Sequence, residues 1–122
     1  MSTRSIRRMA ALGVVLGTGV AAVPALAHAP VIGTFPAKGA TVSNVRTVSV
    51  RFGDSVVTGL ITVAGADRTA VRARAAGLDP RNKARLRATF ARRPPSGSYR
   101  VSWRARADDG HSERGTFTFR VR

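Results

Sequence analysis

Tyr99-Arg100-Val101-Ser102-Trp103-Arg104-Ala105-Arg106, answered after a short loop by Thr116-Phe117-Thr118-Phe119-Arg120-Val121-Arg122, decides how this chain folds. In the first run Tyr99, Val101, Trp103 and Ala105 alternate with Arg100, Ser102, Arg104 and Arg106. In the second, Phe117, Phe119 and Val121 alternate with Thr116, Thr118, Arg120 and Arg122. A period of two puts one face of each strand in a core and the other in water. The loop between them, Asp108-Asp109-Gly110-His111-Ser112-Glu113-Arg114, carries half of the six acidic residues and one of the two histidines.

Working back from this hairpin, Arg92-Arg93-Pro94-Pro95-Ser96-Gly97 breaks regular structure. Ala84 to Phe90 is rich in Ala and Arg, which also suit a helix, but Ala84, Leu86, Ala88 and Phe90 recur with period two and predict a strand. Gly77-Leu78-Asp79-Pro80-Arg81-Asn82 reads as loop. Leu60 to Ala64 reads as a strand, and Gly65-Ala66-Asp67 turns the chain into a weaker one at Thr69 to Arg74. Arg46 to Phe52 sends Val48, Val50 and Phe52 inward and ends at Gly53-Asp54. Before it, His28 to Ala40 is extended and interrupted by Pro30 and Pro36, as befits an edge or crossing segment. The expectation is all-β: a small seven-stranded Greek-key β-sandwich or barrel, immunoglobulin- or cupredoxin-like.

The first 27 residues do not belong to that pattern. Arg4, Arg7 and Arg8 precede an apolar run from Ala10 to Val23, and Ala25-Leu26-Ala27 offers the small-x-small pattern of a signal-peptidase site. Residues 1–27 are therefore expected to be a cleaved export signal and 28–122 the mature domain, periplasmic or extracellular and monomeric. Cysteine is absent, so the domain must hold together without disulfides, and soft thiolate sites for reduced copper or iron–sulfur clusters are excluded.

Net charge is +15. Without Arg4, Arg7 and Arg8 the mature part keeps 18 Lys and Arg against 6 Asp and Glu, a net +12. Such a balance raises nucleic acid as a partner. The arginines fall at outward positions of alternating strands, however, and the aromatics that would stack on bases alternate inward. The reading is no nucleic acid, with attraction to anionic envelope surfaces the better alternative.

Candidate chemistry rests on few residues. Cleavage after Ala27 would make His28 the first residue, whose free amine and imidazole can close a chelate ring on a metal. His111 adds a second imidazole, with Asp109 two residues earlier. Three nitrogens and a carboxylate oxygen suit Cu(II) better than calcium or magnesium, with zinc the rival ion. Asp109-Gly110 is equally a hairpin-turn signal, so spacing alone leaves metal and turn open.

The mature chain resembles the CopC family of exported copper-resistance proteins. The resemblance lies in His28-Ala29, Thr34-Phe35-Pro36-Ala37-Lys38-Gly39-Ala40, Phe52-Gly53-Asp54, Gly97-Ser98-Tyr99-Arg100-Val101-Ser102-Trp103, Asp109-Gly110-His111 and Gly115-Thr116-Phe117-Thr118-Phe119-Arg120-Val121. It implies a Cu(II) site of His28 through amine and ring, His111 and Asp109. Asp54 falls where the family has a glutamate and is a candidate for supporting the ligands from behind. The methionine-rich Cu(I) site of some relatives has no counterpart, because Met1 and Met9 lie in the export signal. Asp108 and Glu113 match no ligand position and read as solvated loop charges.

The resulting expectation is a non-enzymatic protein that holds or hands over Cu(II) in copper resistance or homeostasis, with a membrane copper transporter as candidate partner. One alternative is oxidative chemistry like that of lytic polysaccharide monooxygenases, which also use an N-terminal histidine. Those enzymes need a broad substrate face and an open copper position. The other alternative is a metal-free immunoglobulin-like interaction module.

Overall fold

The structure is a computed structural model and describes residues 29–122 together with the isolated Gly13. Eight strands follow in order: β1 (Val31–Phe35), β2 (Thr41–Val42), β3 (Thr47–Phe52), β4 (Val56–Gly65), β5 (Ala73–Asp79), β6 (Asn82–Phe90), β7 (Gly97–Ala107) and β8 (Ser112–Val121). They form two four-stranded sheets, ordered β1-β3-β6-β5 and β2-β8-β7-β4. The links from β1 to β2, β2 to β3, β3 to β4, β4 to β5 and β6 to β7 change sheet, whereas β5–β6 and β7–β8 are hairpins. This is the expected all-β sandwich, with eight strands in place of seven. The additional one is the two-residue β2, which pairs in parallel with the end of β8 and is too short to show a period.

The core is the sum of the inward faces. Val48, Val50, Phe52, Leu86, Ala88 and Phe90 from one sheet meet Ile61, Val63, Tyr99, Val101, Ala105, Phe117, Phe119 and Val121 from the other. Tyr99 stacks on Phe119 with ring centroids 5.5 Å apart, and its hydroxyl donates to the Pro95 carbonyl. Trp103 meets Phe52 edge-on at 5.2 Å but stays half-buried. Pairs of this kind contribute about 0.5–1.5 kcal/mol beyond the area they bury. Among the described residues these contacts form one hydrophobic core between the two sheets.

Several boundaries differ from the sequence expectations for physical reasons. β4 begins at Val56, not Leu60, because a register shift between Val56 and Thr58 interrupts the alternation. β5 covers 73–79, so Gly77, Leu78 and Asp79 are strand and only Pro80-Arg81 turns the chain. The stretch around Ala70 instead folds back on the end of β4, where Val71 N–H donates to Val63 O at 2.8 Å. Not every aromatic points inward: Phe35 is 56% exposed.

One buried ion pair fixes the β5–β6 turn. Asp79 is 1% exposed; its Oδ1 accepts from Arg81 N–H at 2.9 Å and its Oδ2 from Arg85 Nε at 2.8 Å. The Arg81 amide bond, then the Arg85 guanidinium, hold the carboxyl below its usual range.

Candidate metal centre

The β7–β8 hairpin closes over Asp108 to His111. Gly110 N–H donates to Ala107 O at 3.0 Å and Ala107 N–H to His111 O at 2.9 Å. The bend needs φ +88° at Gly110, a left-handed conformation that a side chain would strain. Within it Asp109 does two jobs. Its Oδ1 accepts from the His111 backbone N–H at 3.0 Å, as turn aspartates do, and its Oδ2 lies 2.9 Å from His111 Nδ1. The hydrogen bond and charge of Asp109 raise the pKa of His111 above its ordinary value. The His111 side chain is 79% exposed and that of Asp109 28%. The pair is therefore oriented from one side while its ring remains accessible.

The start of the described chain comes to the same end of the sandwich. Ala29 is 4% exposed and lines a small crevice with Val56, Ala105, Ala107, His111 and Glu113. Pro30 O accepts from Gly53 N–H at 2.8 Å, tying this segment to the β3–β4 link. Three pieces of chain thus converge: Ala29-Pro30, the β3–β4 link and the β7–β8 loop. His28 itself lies outside the described residues, as do residues 1–27 apart from Gly13, so the export-signal expectation concerns residues not described here.

Asp54 sits in the β3–β4 link, where its Oδ1 accepts from Ser55 N–H at 2.8 Å. Asp109 and His111 are brought together; Asp54 is near in topology but occupied with its own turn. Glu113 corrects the sequence reading. It is half-buried on β8 and shares the crevice with His111, in phase with Phe117 and Phe119, a signal legible in the alternation. The burial of Ala29 was also unforeseen, since a lone alanine beside a proline gives no periodic signal. Among the described residues, no group of three or more His, Cys, Asp or Glu side chains comes together.

Residues 31–122 match the CopC domain family. The chain belongs to the CopC family. Solved structures agree with the fold of this CopC domain. It is similar to PcoC, a methionine-rich copper resistance protein from Escherichia coli, with TM-score 0.66 and 22% identity over 79% of this chain and 100% of that one. It is similar to CopC from Methylosinus trichosporium OB3b, with TM-score 0.65 and 24% identity over 77% of this chain and 93% of that one. No curated protein matches the sequence.

Proposed function

We propose that this CopC-family chain is an exported copper-binding protein of copper resistance or homeostasis that holds Cu(II) and is not an enzyme. The observation that carries the reading is the Asp109–His111 pair, with buried Ala29 lining the crevice beside it. Consecutive Cα atoms are about 3.8 Å apart, so a residue bonded to Ala29 starts one peptide from that crevice. The proposed ligands are the amine and ring of His28, the ring of His111 and the carboxylate of Asp109, with Asp54 shaping the adjacent link.

The donor chemistry fits the ion. Three nitrogens and one carboxylate oxygen make a donor set that suits tetragonal Cu(II), with zinc the rival ion. Nitrogen and carboxylate donors without Cys or Met in 28–122 also disfavour Cu(I). An anionic ligand would fill a position that oxygen chemistry needs open, which speaks against the oxidative alternative. Exposure of the His111 ring keeps a bound ion within reach of an acceptor, as transfer to a membrane transporter would require.

Titration of residues 28–122 with Cu(II), read by electron paramagnetic resonance, tests the reading. The expected result is one equivalent of copper with three nitrogens and one oxygen in its plane, and loss of tight binding in His111→Ala. A His111→Ala variant that kept the affinity and spectrum would contradict it.

A further inference from the structure

We propose that the outer face of the β2-β8-β7-β4 sheet is a docking surface for anionic phospholipid headgroups. The face is read from the register. Thr58, Leu60, Thr62 and Ala64 of β4 stand beside Arg106, Arg104, Ser102 and Arg100 of β7. Those in turn stand beside Ser112, Arg114, Thr116 and Thr118 of β8, with Arg120 beyond them. Arg100, Arg104, Arg106, Arg114 and Arg120 are all exposed, and no Asp or Glu shares these outward positions. Among the described residues the arginines in ion pairs are Arg85 and Arg87, both with Asp79 on the other sheet.

This arrangement opposes stability. Arg104 and Arg114 are direct cross-strand partners, and like charges so placed destabilise a sheet. A solvated face gains nothing from that repulsion, whereas an anionic surface would remove it. Leu60 completes the row and is 67% exposed. Beside it Trp103 is half-buried above Gly115, and both line a shallow depression of about 600 Å³ with Arg104 and Arg114.

The occupant follows from shape and chemistry. Six residues of strand separate Arg100 from Arg106, about 20 Å, so the charges spread over a plane and do not converge on one anion. An exposed leucine among arginines matches a bilayer's interface, with the apolar group at the acyl boundary and the cations at the headgroups. A nucleic acid would need rings free to stack, but Trp103 is held edge-on by Phe52. An acidic polypeptide without apolar side chains would leave Leu60 in water.

Sedimentation of residues 28–122 with vesicles of equal phosphatidylglycerol and phosphatidylcholine, and with phosphatidylcholine alone, tests the proposal. Binding is expected to the anionic vesicles only and to fall with added salt. Arg104→Ser with Arg114→Ser should weaken it about 25-fold, at about fivefold per arginine. Arg72→Ser with Arg74→Ser, the same change of net charge away from this face, should leave it within about twofold. Arg114→Glu should raise the thermal midpoint while weakening vesicle binding, a combination that a structural role would not produce. Equal losses in the two double variants, no binding to anionic vesicles, or equal binding to soluble polyglutamate through the same arginines would each overturn the proposal.

Discussion

Asp109 grips His111 at both ends, its Oδ1 3.0 Å from the His111 backbone N and its Oδ2 2.9 Å from Nδ1. The first bond belongs to the turn and the second to the ring, so one substitution can separate them. Asp109→Asn keeps an oxygen able to accept the backbone bond but loses the anion. The copper-free thermal midpoint should hardly move, the pKa of His111 should fall back toward 6.5, and Cu(II) affinity should drop at least about tenfold. Calorimetry and a histidine titration by NMR check all three.

The raised pKa of His111 sets a pH dependence with two signs. Without copper, its interaction with Asp109 stabilises fully below the unfolded pKa of about 6.5 and is lost as pH rises through the higher folded value. Copper needs the neutral ring and a free amine of pKa about 7.7–8.0, so the stability it adds should grow with pH over the same range. Thermal melts from pH 5 to 9, with and without Cu(II), should diverge toward the alkaline side.

Asp79 gives an acid-side prediction independent of metal. Its folded pKa is depressed, first by the Arg81 amide and then by Arg85, so its contribution is present above the unfolded value of about 3.9 and lost as pH falls through the folded one. Asp79→Asn should lower the thermal midpoint at pH 7 and flatten its fall below about pH 4. Melts of both proteins from pH 2 to 7 measure this.

Gly115 makes room for Trp103. A Cβ there would lie 2.7 Å from Trp103 Cζ2, so Gly115→Ala must displace the ring from Phe52. The expected cost is about 1–3 kcal/mol, with a changed tryptophan emission spectrum, measured by urea unfolding.

What the sequence showed and hid has physical causes. The β7–β8 hairpin, β3 and β6 were legible because each alternates over six or more residues with one face buried. The starts of β4 and β5 were not, because a bulge near Val57 and the turn-forming residues around Gly77 mask the period. Asp79 looked like a loop charge because burial with two arginines is a tertiary fact. At the candidate site Asp109 and His111 are neighbours in sequence and could be paired by eye. The burial of Ala29 beside His111 depends on the β3–β4 link receiving Pro30, and no local pattern announces it.

In the proposed site copper is held by an atom created on cleavage, the free amine of His28. Before cleavage that nitrogen is an amide joined to Ala27 and a poor ligand. The deciding measurement is a paired Cu(II) titration of residues 28–122 and the same protein with one Gly ahead of His28, with nitrogen ligands counted by paramagnetic resonance. The added Gly is expected to remove the chelate ring and weaken binding by several factors of ten, each about 1.4 kcal/mol, while the fold and the Asp109–His111 pair persist. Equal affinity and an equal nitrogen count in the two proteins would contradict it.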